Sequence, residues 1–203
     1  MAWTSTAARV SACAAGVSHT RIVRKTILSL LILIFSTQVV SDDNFHWLTE
    51  SGEIAPEREN QKSNGGFGGW LLVTPDKDWE DKWNTPRENT PYFSEAKDVK
   101  IGEELTILPF FANPRLDKSG RFDINCNIRV ESPTGSLSID EKNIPCANGV
   151  LNMDPKSIFL TQTVIKFIGE AGDAFGKWNV YFDMQDSLRG VQVSLKTSFN
   201  LVE

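Results

Sequence analysis

The sequence predicts an all-β protein, an antiparallel β-sandwich with one short helix and an irregular N-terminal arm. Three observations lead there. Apolar and polar residues alternate with a period of two from about residue 100 onward. About seven such runs are separated by glycine, proline and small polar residues, as in an all-β domain. Only one stretch of the 203 residues carries both a helix start and a helix stop.

The first 41 residues stand apart. Arg21, Arg24 and Lys25 precede the apolar run 27–35, and small residues then lead to Asp42 and Asp43. That is the layout of a secretory signal, with cleavage expected after Ser41. The 16 residues between Lys25 and Asp42 include several polar ones. They fall short of the roughly 20 apolar residues that cross a bilayer, so the mature form is expected to have no stable transmembrane span. Residues 1–22 make a long leader, and "VRKTILSLL" from Val23 would itself open a normal signal, which suggests a start assigned too early. The signal segment holds four of the 21 basic residues and none of the 26 acidic ones, which leaves −9 for residues 42–203. That sign argues against nucleic acid and anionic lipid as general partners.

The arm at 42–69 is polar and ends in "PERENQKSNGGFGG", which reads as irregular chain. "WLLVT" (70–74) follows as a short strand. In "TPDKDWEDKWN" Thr74 stands at an N-cap, Pro75 at the first helical position, and Asp76 and Asp78 in the first turn, with Pro86 as the stop. Trp79 and Trp83 are four residues apart and share one face of that helix. An irregular, proline-bearing passage ends this first part, 42–98, and the sandwich takes 99–203.

"ELTILPFF" (104–111) is a strand in which Pro109 implies a sheet edge or a strand end. "FDINCNIRVE" alternates strictly, with Phe122, Ile124, Cys126, Ile128 and Val130 on one face. "SPTG" (132–135) is a turn that hands over to "SLSIDEKNI", so these runs form a hairpin. Residues 158–168 are apolar and β-branched, as in a strand buried on both faces. Trp178, Val180, Phe182 and Met184 then alternate with Lys177, Asn179, Tyr181 and Asp183. After "QDSLRG" a second alternating run reaches Val202, which gives a hairpin with one wet face. The glycines ahead of it are not a phosphate loop. Ala171 stands where G-x-x-x-x-G-K needs its first glycine, Trp178 replaces the Ser/Thr, and a strand follows in place of a helix.

Cys126 and Cys146 both lie beyond the signal segment, and an even pair in an exported chain reads as a disulfide. "GDAFGKWNVYFDMQD" resembles the Gly-x-Trp/Tyr-x-Val-x-Phe/Val-x-x-x-Asp pattern near the end of bacterial immunoglobulin-like and macroglobulin-type domains. Gly176, Trp178, Val180, Phe182 and Asp186 occupy the matching positions. The resemblance covers 100–202 and implies an immunoglobulin-like sandwich. In it a glycine turn delivers the penultimate strand, Trp178 plugs the core and Asp186 opens the last hairpin. It is silent on function.

Chemistry is sparse. His46 is the one histidine beyond the signal segment, so no Ser-His-Asp, Cys-His or His/Cys zinc set can be assembled. "DKSGRFD" fails as a calcium loop because Arg121 and Ile128 occupy ligand positions, and it reads as a hairpin tip. Adjacent acids such as Glu80 and Asp81, or Glu103 and Glu104, single out no pair held across a cleft. The expectation is a non-catalytic chain without cofactor or metal, exported to the bacterial envelope as a periplasmic or secreted module. It would bind another envelope or secreted protein through a strand edge or the "WEDKWN" face. The alternative is a carbohydrate- or small-ligand-binding domain with Trp79 and Trp83 as its platform, weighed against both rings simply docking on the sandwich. An acid/base hydrolase ranks last.

Overall fold

The computed structural model describes residues 44–86 and 91–203; the expected signal segment and its cleavage site lie outside the described residues. In chain order the elements are β1 (Gln61–Asn64), β2 (Phe67–Thr74), α1 (Trp79–Trp83), β3 (Asp98–Lys100), β4 (Glu104–Ala112) and β5 (Arg121–Glu131). They continue as β6 (Leu137–Val150), β7 (Ile158–Leu160), β8 (Ile165–Ile168), β9 (Gly176–Asp186) and β10 (Val191–Val202).

Alternation gives each strand one apolar face, and two sheets bury those faces against each other. One sheet runs β1-β2-β4, with β7 and β8 paired to successive parts of β4; the other runs β3-β10-β9-β5-β6. Every ladder is antiparallel except β3–β10. With β7 and β8 counted as one run, β2, β4 and β7/β8 oppose β5, β6, β9 and β10. That division is the one found in immunoglobulin-like sandwiches.

The shared phase of β5 and β9 makes the centre of the core: Ile124, Cys126, Ile128 and Val130 beside Trp178, Val180, Phe182 and Met184. Phe67, Leu71 and Val73 of β2 join Leu105, Ile107 and Phe111 of β4 in the same core. Gly69 takes the remaining inward position on β2, because a Cβ there would lie 2.7 Å from the Met184 methyl. The Trp178 indole N–H donates to the Ala174 carbonyl at 3.0 Å, and Phe167 packs on its ring. A disulfide joins Cys126 of β5 to Cys146 of β6, both buried, with Cα atoms 5.7 Å apart.

Several elements differ from the sequence reading, each for a local reason. The first sheet draws on the stretch read as an irregular arm. Gly65 and Gly66, at φ +52° and +82°, join β1 to β2 through a two-residue turn of the kind that requires positive φ twice. β2 then pairs with β4 from Gly68↔Ala112 to Thr74↔Thr106. β4 is therefore central, although Pro109 suggested an edge or a strand end. The Thr161 N–H donates to the Pro109 carbonyl, so the donor that Pro109 lacks would have pointed into the break between β7 and β8. The bond that Pro109 cannot return to Thr161 falls where β7 ends, at Leu160.

The same break replaces the single buried strand expected at 158–168 with two short ones at the sheet margin, each bearing exposed residues. The Thr161 hydroxyl donates to the Thr163 carbonyl at 2.6 Å and holds that link out of the ladder. The helix expected from Thr74 contracts to α1. Thr74 Oγ1 accepts from the Asp76 N–H at 3.1 Å and forms a turn instead, while the Asp76 carboxylate is occupied by Lys82 and by the Ser94 N–H. Asp78, at the N-cap position, makes no side-chain capping bond.

Candidate functional site

The outer face of the first sheet is covered. Trp70, Leu72, Leu108 and Phe110 form a second apolar layer with Trp79, Trp83 and Phe93 from the segment between β2 and β3. Trp79 is 7% exposed, and Trp83 is half-buried with its ring 5.2 Å from that of Phe110. Trp70 stacks on Phe110 at 4.9 Å and meets Trp47 edge-on at 6.5 Å. Asp76 fastens this cover by accepting from Lys82 Nζ and from the Ser94 N–H, both at 2.8 Å. Burial pulls the Asp76 pKa up, but these bonds outweigh it and hold the carboxyl below its ordinary range. The hydrogen bond to Asp76 in turn raises the pKa of Lys82. Trp79 and Trp83 do share one face, as their spacing predicts, and that face is turned onto the sheet.

The strand edges are blunted as well. β6 carries Pro145, Asn143 at φ +52° and three register shifts. Its Cys146 and Asn148 carbonyls accept from the backbone and side chain of Gln162, which bridges the two sheets along that flank. β3, β7 and β8 run for only three or four residues. Short, bulged and proline-bearing edges resist strand addition.

The outer face of the second sheet has no such cover. Register sets Arg129 of β5, Tyr181 of β9 and Lys196 of β10 in one row, with Asp140 of β6 beyond Arg129. The Arg129 guanidinium carbon lies 4.1 Å and Lys196 Nζ 5.4 Å from the centre of the Tyr181 ring. Asn127, Asp183 and Ser194 form the next row. Glu59, from the chain leading into β1, and Lys62 of β1 itself wall the β10 side, where the Lys196 N–H donates to the Glu59 carbonyl. The result is an open groove of about 460 Å³. Among the described residues, neither Arg129 nor Lys196 has a carboxylate within ion-pair distance. Alternation alone marked Arg129, Tyr181 and Asp183 as wet-face residues. It could not show that they meet, because that depends on strand register.

A buried charge cluster lies at the β9–β10 turn. Asp186 Oδ1 accepts from the Leu188 and Arg189 N–H groups at 3.1 and 3.0 Å, and Oδ2 accepts from the Arg115 N–H at 2.7 Å. Arg189 Nε lies 3.5 Å from the same carboxylate, and its other nitrogens donate to the Gly65 and Asn113 carbonyls. Burial raises the Asp186 pKa against the opposing pull of these N–H groups and of Arg189. Both carboxylate oxygens are engaged in holding chain segments together, which makes this a structural knot.

Among the described residues no group of three or more His, Cys, Asp or Glu gathers as a metal site, and His46 is exposed. No helix among them is long and apolar enough to cross a membrane.

No protein-family model matches the chain, and no curated protein matches it. Among solved structures it is similar to a Pseudomonas fluorescens alkylpurine DNA glycosylase bound to DNA, at 11% identity and TM-score 0.36 over 66% of this chain. The chain spans only 29% of that enzyme's length. It is also similar to a CARDB domain from Pyrococcus furiosus in complex with di-metal ions, at 9% identity and TM-score 0.34, covering 66% of this chain and 89% of that one. A third is the PKD domain of an M14-like peptidase from a Thermoplasmatales archaeon, at 12% identity and TM-score 0.28, covering 53% and 88%. All three TM-scores fall below 0.5, so these likenesses carry no weight beside the strand order.

Proposed function

We propose that this chain is an exported, non-catalytic module of the bacterial envelope, periplasmic or secreted, that binds another protein there through the bare face of its second sheet. The observation that carries the reading is the asymmetry of the sandwich. One sheet is covered on its outside by Trp79, Trp83 and Phe93, whereas the other leaves a polar groove around Tyr181 in which Arg129, Lys196 and Lys62 lack carboxylate partners among the described residues. The signal-like residues 1–41 and the Cys126–Cys146 disulfide fit an oxidising compartment. The rigid two-sheet scaffold suits presentation of a fixed surface.

Photo-crosslinking in the producing cells tests this. The full chain would carry a photoreactive residue at Ser194 in the groove, or at Tyr92 or Phe175, both exposed elsewhere. A processed chain in the envelope or medium that forms a defined adduct from Ser194 is expected. Recovery of the unprocessed chain in the cytoplasm, or no adduct from any position, would remove the proposal.

A further inference from the structure

We infer that the groove over Arg129, Tyr181 and Lys196 accepts an extended protein segment of mixed charge, with a carboxylate at its centre and basic residues beside it. This rests on the reading of the chain as a binding module and goes further by naming the chemistry of its partner.

The central row dictates the acidic residue. Tyr181 stands between strands that bring a guanidinium and an ammonium against its ring, so the cations occupy the space where a sugar would stack. What remains available is the outward charge of Arg129 and Lys196, neither of which has a carboxylate within ion-pair distance among the described residues. An approaching carboxylate satisfies both at once, and a guanidinium is shaped to hold it bidentately.

The neighbouring positions dictate the rest. Asp140 extends the row on the β6 side but pairs with Lys142 at 3.5 Å, whereas Asp183 in the adjacent row and Glu59 on the β10 side have no cation within ion-pair distance among the described residues. A polymer with the same negative charge on every unit would meet Asp183 and Glu59 wherever it met Arg129, Lys196 and Lys62. A polypeptide can alternate its charges, and so can place a Lys or Arg against Asp183 or Glu59 while its own acid sits over Tyr181.

Size agrees with an extended chain. The groove crosses β6, β5, β9 and β10 to Lys62, and strands spaced about 4.8 Å apart make this roughly 15–20 Å. Five or six extended residues, at about 3.3 Å each, would fill it. Main-chain strand addition is not needed for such docking, consistent with the blunted edges.

The test uses the same photoreactive chain, with the crosslinked peptide mapped by mass spectrometry. Adducts from Ser194 and from Asn127 should fall on one protein segment that carries an Asp or Glu with Lys or Arg within about three residues. Arg129→Gln combined with Lys196→Gln should cut the adduct roughly tenfold or more. Both side chains lie on the solvent face, so the melting temperature of this variant should stay within a few degrees of wild type. A variant that unfolds is replaced by Lys62→Gln, which should also weaken the adduct.

Asp183→Asn supplies the deciding sign. It weakens capture of a mixed-charge segment and strengthens capture of a uniformly acidic one. A stronger adduct with Asp183→Asn, an adduct on a glycan, or one on a second copy of this chain would each overturn the inference. Adducts from Tyr92 or Phe175 with none from the groove would overturn it while leaving the binding role intact.

Discussion

Asp186 illustrates how much one side chain can hold when its partners come from distant parts of the chain. Its carboxylate gathers N–H groups from Arg115, Leu188 and Arg189, and Arg189 reaches on to Gly65 and Asn113. Replacing it with alanine removes the carboxylate beside the buried Arg189 guanidinium and strips three N–H groups of their acceptor. Asp186→Ala should therefore lower stability by about 3–5 kcal/mol, read from the shift of the urea midpoint at unchanged m-value. The position of Asp186 was legible in the sequence, since an Asp at this spacing after Trp178 matches a hairpin-opening pattern. Its partners were not, because Arg115 lies 71 residues earlier and nothing local marks it. Gly69 is similar. Its lack of a side chain looked like loop composition, but it answers to Met184, far along the chain.

Among the elements, the long alternating strands were the most legible and the segment between β2 and β3 the least. β5, β9 and β10 follow from period-two alternation because each has one face in the core and one in water. The β1–β2 hairpin was missed although "NGGF" carries the signal of a two-residue turn; β1 itself is short and polar, and so has no alternation to announce it. The helix was overestimated because good start signals at Thr74 and Pro75 lost to tertiary bonds at Asp76.

With Trp79 buried and Trp83 half-buried, the double variant Trp79→Ala/Trp83→Ala should melt well below wild type, by about 10 °C or more, since it opens a cavity under the cover. Differential scanning calorimetry reads this directly, and a melt within a few degrees would mean the rings contribute nothing to packing. The Asp76 clamp gives a pH dependence. Its folded pKa lies below the ordinary 3.8, so its contribution is fully present above that value and is lost as the pH falls through the folded pKa. Asp76→Asn does not titrate. The stability gap between wild type and variant should hold steady from about pH 7 to 5 and narrow below 3.8, as followed by tryptophan fluorescence during denaturation.

At the scale of the whole molecule, the two sheets are joined along both flanks, by Gln162 against β6 on one side and by contacts of Asn64 and Glu59 with β10 on the other. The fold class followed from the sequence because it needs only alternation and turn spacing. These bridges did not, because single hydrogen bonds between loops and strands leave no periodic trace. The disulfide spans neighbouring strands of one sheet and sits inside the core, closed off from solvent. Alkylation of exported protein unfolded without reductant should label neither Cys126 nor Cys146, and should label both after reduction. Two reactive thiols before reduction would contradict the bridge.

The parallel pairing of β3 with β10 has a consequence in time. The β5–β6 and β9–β10 hairpins close over short stretches of chain, whereas Asp98 must wait for Asn200, 102 residues later. Closing that loop is entropically costly, and its reward is one three-residue strand. β3 should then dock after the rate-limiting step, on a sandwich already assembled. Val99 is buried and pairs with Leu201, so Val99→Ala should speed unfolding and leave the folding arm of the chevron in place. Stopped-flow kinetics in urea would read it, and a slower folding arm would put β3 in the nucleus instead.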